Sequence, residues 1–443
     1  MKKLLFFVLV FVQFAWCMER QPNADYHVRR EKLAAKTKGG AVLLFAAIEA
    51  DGPNAVYGFR QDNNFYYLTG WRQPGAALLI VPASPEKPDS PARPYTEILF
   101  LPNHNYVQEK WTGPKLGPED ANARSITGFD KVEVLDNLRI ELVNLLASRT
   151  PVFTDIVTPD DSSTSTEAIE WLKRANAFPL GTSFQDVRPL LSSLRTFKDD
   201  GELELIRKAA DASTAAQLAA FKNIKPGMGE QEVSALLQYE WSKRGCERPA
   251  YAPIVGSGFN STVLHYSDDD GPIKDGDLVL MDAAGEYSMY ASDVTRTVPA
   301  NGKFTARQRE IYEIVLGAQE AAIHAFQSGK STLRGNVPDS LYKAAFDYIN
   351  THGKDSHGQP LGKYFIHGLS HYVGLAVHDD GDYNIPVGPG MVFTIEPGIY
   401  IPDEKIGVRI EDDFYVNRDG KLINLTGNLA RTPDDVEHAM ATK

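Results

Sequence analysis

Four acidic residues and one histidine in the last third of the chain lie in short apolar segments, where an ionised carboxylate is costly unless a cation accompanies it. The segments read VLMDAAGE, YASDVTRTV, HGLSHYVG, FTIEPGIY and GVRIEDDF, and the five residues are Asp282, Asp293, His371, Glu396 and Glu411. Four carboxylates and one imidazole suit a pair of hard divalent cations. The sequence therefore predicts a metal centre, and five unrelated surface or hydrogen-bonded side chains are the alternative.

The spacing groups the four carboxylates into two pairs. Asp282 ends one apolar run and Asp293 lies on the next β-prone run, with a predicted turn around Gly285 between them. Glu396 and Glu411 follow two further apolar runs, which proline and glycine residues separate. Each pair of runs is typical of a β-hairpin, in which facing side chains meet across the strands. We therefore predict two hairpins, each carrying one carboxylate pair.

Length and charge limit the class of protein. With 443 residues and 43% hydrophobic content, the chain is long enough for two domains and a substantial core. Its formal net charge is −12, and no basic block offsets the acidic residues. Because nucleic-acid binding requires a basic surface, nucleic acid is not expected as a partner.

The first residues have the pattern of a secretory signal peptide. Lys2 and Lys3 precede an uninterrupted apolar stretch from Leu4 to Val12, and cleavage is predicted after Cys17. The stretch is short for a stable membrane span, which needs about 20 apolar residues. We predict that residues 1–17 are removed and that the mature protein is exported, either periplasmic or secreted. A retained membrane anchor and a misplaced start codon are the alternatives.

Five longer segments, in this order, carry a resemblance to a known family: IVGSGFNSTVLHY, MDAAGEYSMYASDVTRT, HGLSHYVGLAVHD, TIEPGIYI and GVRIEDD. The chain resembles the Xaa-Pro aminopeptidase (aminopeptidase P) branch of the pita-bread metallopeptidases, which also include prolidase and methionine aminopeptidase. The resemblance covers nearly all of the chain beyond the first segment. It implies an α/β (α+β) fold, in which a smaller mixed N-terminal domain precedes a pita-bread catalytic domain.

The domain limits are predicted at residues 25–188 for the N-terminal domain and 189–443 for the catalytic domain. Apolar runs in the first domain predict the strands GAVLLFAA, NFYYLTGW, GAALLIVP and TEILFLP, and a proline-rich connection makes the last two a hairpin. Helical periodicity in the second domain predicts long helices over about 201–222, 230–244 and 305–328.

The resemblance implies a dinuclear centre with a role for each of the five ligands. Asp293 and Glu411 bridge two divalent ions, Asp282 completes one site, and His371 with Glu396 completes the other. The carboxylate-rich set favours Mn²⁺, and the imidazole keeps Zn²⁺ or Co²⁺ compatible. A hydroxide held between the ions attacks the Xaa-Pro bond, and Glu396 carries a proton from the attacking water to the departing amine.

Four further residues, His265, His367, His378 and Tyr400, fall at family positions, and Arg409, two residues before Glu411, alternates onto the same strand face. His265 and His378 are the predicted catalytic partners of the substrate carbonyl or of the oxyanion formed from it. The predicted substrate-binding residues are His367, which shapes the pocket for the residue after the scissile bond, together with Arg409 and Tyr400. Arg409 is expected to pair with a ligand carboxylate or with substrate, and Tyr400 to pass protons or orient its neighbours.

The resemblance implies a metal-dependent aminopeptidase that removes the N-terminal residue from peptides with proline in second position. An Xaa-Pro amide lacks an N–H and carries a rigid ring, so an apolar wall is needed, for which Tyr372 and Val373 are candidates. Prolidase, which accepts only dipeptides, is the alternative function. A metal-free binding protein on the same scaffold is an alternative of another class, which the five retained ligands disfavour. Proline-containing peptides are the expected partners, and a homodimer or homotetramer is the expected assembly.

Overall fold

A computed structural model of the chain describes residues 18–49, 56–83, 92, 95–156 and 183–442. The predicted signal segment lies outside these residues. Within the described ranges, no helix combines the length and the apolar character that a membrane span requires.

The N-terminal part folds into a mixed sheet flanked by helices. Its strands are β1 Ala41–Phe45, β2 Ala77–Val81, β3 Thr96–Leu101, β4 Lys131–Val134, β5 Val152–Thr154 and β6 Phe184–Asp186. Its helices are α1 Asn23–Lys36, α2 Asn63–Thr69, α3 Glu109–Thr112, α4 Ala123–Thr127 and α5 Leu138–Ala147. The strand order is β4-β3-β2-β1-β5-β6, in which β2 pairs antiparallel with both β1 and β3 and the other pairs are parallel. The predicted hairpin of β2 and β3 is confirmed.

The central strand β1 is apolar throughout because both faces of the sheet are covered. Val42 and Leu44 pack into one cluster of buried side chains, whereas Ala41 and Leu43 pack into another on the opposite face. Successive side chains of a strand point to opposite faces, so a strand buried on both faces has no polar alternation.

The segment NFYYLTGW, predicted as a strand, is the helix α2. The side chain of Asp62 caps it by accepting the backbone N–H of Phe65 at 2.8 Å, and Gly70 ends it with φ 59°. Every side chain from Asn64 to Thr69 is buried, so the segment has no polar face that would reveal a period of 3.6. A short apolar run of this kind does not distinguish a buried helix from a buried strand.

The C-terminal part contains long helices packed around short strands. Its helices are α6 Arg188–Arg195, α7 Asp200–Asn223, α8 Glu230–Ser242, α9 Ala306–Ala325, α10 Leu341–His352 and α11 Pro433–Ala441. The three predicted long helices are confirmed as α7, α8 and α9. The helix α10 was missed, although Leu341, Ala345 and Ile349 are its buried residues and have helical spacing.

Antiparallel strand pairs form the centre of this part. Its strands are β7 Arg248–Pro249, β8 Ile254–Ser257, β9 Leu278–Asp282, β10 Gly285–Glu286, β11 Thr295–Pro299, β12 Val392–Ile395, β13 Gly398–Ile401, β14 Ile406–Arg409, β15 Asp412–Val416 and β16 Leu422–Asn424. They form the groups β11-β9-β8, β12-β15-β16, β13-β14 and β10-β7. A bridge between Thr295 and Glu411 connects the first group to the later strands. This junction positions the residues that the sequence singled out.

Candidate metal centre and its cavity

The first carboxylate pair lies at the neighbouring ends of β9 and β11. Asp282 ends β9 and pairs with Thr295 of β11, which follows Asp293 by two residues. The hydroxyl of Tyr251 lies 2.6 Å from Oδ1 of Asp282 and 2.6 Å from Oδ1 of Asp293. The predicted pairing across antiparallel strands is confirmed, and one hydroxyl joins both carboxylates.

The sequence predicted a turn around Gly285 between these strands, but the structure has no turn at that residue. Gly285 belongs to β10, which pairs with β7, and a Cβ atom there would lie 2.7 Å from Sγ of Cys246. Close packing, not a turn, is therefore the reason for glycine at this position. The turn lies further on, at Ser288 and Met289, whose φ angles are 50° and 74°.

The second carboxylate pair lies between two paired stretches of one hairpin. The pairs β12–β15 and β13–β14 share one antiparallel register, and that register sets Glu396 opposite Glu411. Pro397 has no N–H to donate to the ladder, and its carbonyl accepts the N–H of Ile410 at 3.3 Å. The ladder is thus interrupted where the two glutamates face each other.

His371 lies on a segment that runs beside β12. Its carbonyl accepts the N–H of Thr394 at 2.9 Å, and its Nε2 lies 3.3 Å from Oδ2 of Asp293 and 3.4 Å from Oε1 of Glu396. Burial alone favours the neutral imidazole. The hydrogen bond with Asp293 and the charge of Glu396 outweigh burial and raise the pKa of His371 to about 9. The imidazole therefore faces concentrated negative charge.

The structure brings all five predicted ligands to one cavity of about 790 Å³. Three of them, Asp293, His371 and Glu411, are buried and each offer one ligand atom within 4.8 Å of the others. Asp282 is connected to this cluster through the hydroxyl of Tyr251, and Glu396 is connected to it through the imidazole of His371. The residues that hold the cluster therefore come from both strand pairs and from the segment beside β12.

The cluster carries more negative charge than its protein partners neutralise. Arg409 Nη2 lies 2.5 Å from Oδ2 of Asp282, but in the described chain no arginine or lysine pairs with Asp293, Glu396 or Glu411. Burial and the neighbouring carboxylates raise the pKa of Asp293, raise that of Glu396 to about 7, and raise that of Glu411 well above its ordinary value. Buried acids with this excess of charge and one imidazole are a donor set that fits divalent cations.

Three hydroxyl groups that the sequence reasoning missed orient the predicted ligands. Thr295 Oγ1 donates to Oε2 of Glu411 at 2.5 Å, Thr394 Oγ1 donates to Oε1 of Glu396 at 3.1 Å, and the third is Tyr251. Thr394 precedes Glu396 by two residues on β12, so the two-residue period of a strand was a usable signal for it. Tyr251 lies outside every segment quoted for the ligands, and no spacing pointed to it.

We expect Tyr251→Phe to weaken metal binding by about 10- to 100-fold, because the hydroxyl orients two carboxylates at once. The measurement is calorimetric titration of the metal-free protein with Mn²⁺. Tyr312→Phe is the matched control, since its buried hydroxyl donates to the carbonyl of Arg431 at 2.9 Å. Unchanged affinity in Tyr251→Phe would contradict the orienting role.

The remaining predicted site residues lie around the same cavity. His265, His367, His378 and Arg409 line it, whereas Tyr400 lies behind His367, with its hydroxyl 2.9 Å from His367 Nε2. The same hydroxyl accepts a hydrogen bond from Arg409 Nη1 at 2.8 Å. The His378 ring is T-shaped to that of His371, at 4.2 Å between centroids.

Two of these histidines are neutral at physiological pH. Burial and the charge of Arg409 lower the pKa of His367 to about 4. Burial and the neighbouring His371 lower the pKa of His378 to about 4. A neutral imidazole can donate one hydrogen bond and accept another.

The apolar wall differs from the one predicted. Tyr372 and Val373 do not line the cavity, because both are fully buried and Tyr372 donates its hydroxyl to the carbonyl of Asp382 at 3.1 Å. Adjacent residues of an extended segment point to opposite faces, so Tyr372 points away when His371 faces the cluster. The apolar and aromatic residues on the wall are Leu264, Tyr342, Phe365, Ile366, Leu369 and Tyr383.

Two family models match the chain. Residues 26–153 match the N-terminal domain of aminopeptidase P, and residues 204–418 match metallopeptidase family M24. The Xaa-Pro aminopeptidase of Escherichia coli (strain K12) is 33% identical over 96% of this chain and 99% of that protein. Xaa-Pro aminopeptidase 3 of Homo sapiens is 33% identical over 94% of this chain and 85% of that protein.

Solved structures show the same similarity. Proline aminopeptidase P II from Yersinia pestis superposes with a TM-score of 0.83 at 32% identity, covering 96% of this chain and 100% of that chain. Aminopeptidase P from E. coli with the inhibitor Pro-Leu gives a TM-score of 0.82 at 30% identity, covering 96% and 99%. These similarities confirm the predicted resemblance, the mixed α/β fold with an N-terminal and a catalytic domain, and an enzyme of the metallopeptidase type. The chain belongs to the Xaa-Pro aminopeptidase family, within metallopeptidase family M24.

Proposed function

We propose that this enzyme removes the N-terminal residue from peptides whose second residue is proline, with two divalent cations in the cluster described above. The observation that carries the proposal is the buried group of Asp293, His371 and Glu411 at the cavity wall. A buried acidic cluster of this kind, in a chain of the Xaa-Pro aminopeptidase family, supports metal-assisted peptide hydrolysis.

The residues that would hold the cations are Asp282, Asp293, His371, Glu396 and Glu411. Their carboxylate-rich chemistry favours Mn²⁺, with Zn²⁺ and Co²⁺ as the compatible alternatives. When bound, the cations supply Lewis acidity, which lowers the pKa of a water molecule and polarises the peptide carbonyl.

Glu396 is the proposed proton carrier. Its Oε1 accepts the hydroxyl of Thr394 at 3.1 Å, which leaves Oε2 available for a proton. Burial raises the pKa of Glu396, and a proton carrier must be able to take up a proton as well as release one. Glu396 would take a proton from the attacking water and give it to the departing amine.

His265 and His378 are the proposed partners of the carbonyl oxygen. Both line the cavity, and the low pKa of His378 keeps it neutral, so it can donate a hydrogen bond without adding charge. A donor fixed in place before the reaction stabilises negative charge that develops on the oxygen.

Acceptance of proline is proposed to depend on the aromatic and aliphatic wall. Tyr342, Phe365 and Ile366 lie on the cavity wall with His367. The proline ring is rigid, and its amide has no N–H to donate, so an apolar surface can hold it without a hydrogen-bond acceptor.

Hydrolysis of Arg-Pro-Pro and of Ala-Pro, with Mn²⁺ added and with the chelated protein as control, tests the proposed activity. We expect metal-dependent release of the first residue from the tripeptide. Cleavage of the dipeptide alone would make the enzyme a prolidase. Absence of cleavage of both would contradict the proline specificity.

Metal binding is expected to stabilise the fold. Titration of the chelated protein with Mn²⁺ should give two ions per chain, and the melting temperature should rise with ion concentration, since a ligand at 100 times its Kd adds about 2.7 kcal/mol per site. Calorimetry measures both quantities. Failure to bind any divalent ion would favour the metal-free binding protein.

Export is proposed from the sequence of residues 1–17, in which Lys2 and Lys3 precede the apolar stretch. Expression in the native host followed by N-terminal sequencing should find the mature chain beginning at Met18 in the exported fraction. A full-length chain in the membrane fraction would support the retained anchor instead.

A homodimer or homotetramer is proposed as the assembly. Trp111, Tyr106 and Val107 of the N-terminal domain are 87%, 70% and 71% exposed, which is unusual for apolar side chains and suits an interface. Light scattering coupled to size exclusion is expected to give two or four chains, and Trp111→Ser to reduce that number. A monomer at micromolar concentration would contradict the proposal.

A further inference from the structure

One arginine on the cavity wall has no acidic partner among the described residues. Arg334 is exposed and lines the same cavity as the carboxylate cluster. Within the ranges that the structure describes, no carboxylate oxygen lies within 4.0 Å of its nitrogen atoms. Its guanidinium is therefore available to a ligand that enters the cavity.

Arg334 lies on a short loop whose base is fixed by hydrogen bonds. Thr332 donates its backbone N–H to Asp339 at 3.0 Å and accepts that of Leu341 at 2.9 Å. Leu333, the residue before Arg334, is 2% exposed and packs in the main core of the catalytic part. The loop is thus attached to the core on the side next to the arginine.

An aromatic ring holds the guanidinium in place. The central carbon of the Arg334 guanidinium lies 3.4 Å from the centroid of the Tyr383 ring. The hydroxyl of Tyr383 accepts the backbone N–H of Tyr372 at 3.1 Å, directly after His371. Stacking on an aromatic face orients the planar group and leaves its edge free for hydrogen bonds.

We propose that Arg334 binds the main-chain carboxylate of the residue that follows proline, and so makes this enzyme selective for short peptides. The inference rests on the proposed function, because it assumes that the peptide lies with its scissile bond at the cluster. A guanidinium presents paired N–H groups that match a carboxylate, which an amide or a continuing chain does not offer.

The length of the preferred peptide depends on which main-chain carboxylate can reach Arg334. Arg334 forms no ion pair with the described cluster carboxylates, and its guanidinium stacks on Tyr383, whose hydroxyl accepts the N–H of Tyr372. Each residue of an extended peptide spans about 3.5 Å, so a carboxylate two residues beyond the scissile carbonyl reaches further along the cavity than that of a dipeptide. Tripeptides are therefore the expected preferred length.

Binding of Pro-Leu, compared with Pro-Leu amide, tests the subsite without requiring catalysis. We expect the metal-loaded enzyme to bind Pro-Leu about 10- to 100-fold more tightly than the amide, which is the usual effect of a charge-assisted hydrogen bond. Arg334→Gln should remove this difference and Arg334→Lys should restore part of it. Arg418→Gln, which removes an arginine that is 80% exposed and paired with Asp200, should leave it unchanged.

Equal binding of Pro-Leu and its amide by the wild-type enzyme, or an equal loss for both in Arg334→Gln, would overturn the inference. Pro-Glu amide distinguishes the source of the carboxylate. If Arg334→Gln weakens Pro-Glu amide but not Pro-Leu, an acidic side chain is the ligand and the main-chain assignment is wrong.

Hydrolysis of Arg-Pro-Pro and its amide by the same variants separates this inference from the proposed function. Arg334→Gln is expected to raise KM for the free acid about 10- to 100-fold with little change in kcat. If the enzyme cleaves Arg-Pro-Pro and its amide with equal kcat/KM, the Arg334 subsite is rejected and the proposed function stands. If the enzyme binds Pro-Leu more tightly than its amide but cleaves neither Arg-Pro-Pro nor its amide, the proposed function is rejected and the subsite stands.

Discussion

Asp293→Asn and Glu411→Gln are each expected to lower kcat for Arg-Pro-Pro by about 10³-fold or more, because both carboxylates belong to the buried group at the centre of the cluster. Loss of Lewis acidity worth several kcal/mol corresponds to a rate change of this size. Steady-state hydrolysis at saturating Mn²⁺ is the measurement. Glu310→Gln, at an acid that is 52% exposed and paired with Arg307, is the control and should retain full activity.

The same two variants should remain folded, and in the absence of metal they should be at least as stable as the wild-type enzyme. Each replaces a buried carboxylate, held near other carboxylates, with a neutral group of the same shape. Removal of like-charge repulsion and of a buried charge favours the folded state. Calorimetry in the presence of a chelator should therefore show an equal or higher melting temperature. A lower melting temperature, or near-normal activity, would show that the cluster does not have the proposed role.

Asp379→Asn is expected to lower the free energy of unfolding by about 3–5 kcal/mol, because it leaves the buried Lys198 without its counter-ion and Arg195 with only the half-exposed Asp380. Oδ1 of Asp379 lies 2.5 Å from Arg195 Nη2, and Oδ2 lies 2.9 Å from Lys198 Nζ. The three side chains are 2%, 3% and 1% exposed. Denaturant unfolding monitored by fluorescence gives the free-energy difference directly.

An exposed ion pair provides the comparison for this prediction. Asp200 and Arg418 are 77% and 80% exposed, and Arg418→Gln should have no measurable effect on unfolding because water screens such pairs. Burial alone would raise the pKa of Asp379, but Arg195 and Lys198 outweigh it and lower the pKa. The ion-pair contribution is therefore present above the pKa of the unfolded chain, about 3.9, and is lost as the pH falls through the folded value. Equal effects of the two substitutions would contradict this account.

The ligand positions could be predicted because a carboxylate in an apolar strand is rare and costly. The structure brings together Asp282, Asp293, His371, Glu396 and Glu411 as that reasoning expected. Their pairing across antiparallel strands was also predictable, since strand runs and turn residues determine which side chains can face each other. The metal-binding roles themselves are still predictions.

Other features depend on contacts that the sequence pattern does not encode. The segment around Phe65 was assigned to a strand because its burial on all sides hides the helical period. Gly285 was assigned to a turn, whereas the structure requires glycine at this position because Cys246 packs against it. Tyr251 and Arg334 reach the cavity from separate parts of the chain, and only the folded structure shows where their side chains lie.

The bridge between Thr295 and Glu411 has a consequence for the order of folding. The hydroxyl of Thr295 bonds to a carboxylate 116 residues later in the chain, and Arg409 reaches Asp282 across 127 residues. Contacts between such distant positions carry a large loop-closure cost and form late. A nascent chain cannot complete the cluster before its last strands have left the ribosome. Capture of the ions would then mark the end of folding, and their release on heating should coincide with global unfolding in a calorimetric trace.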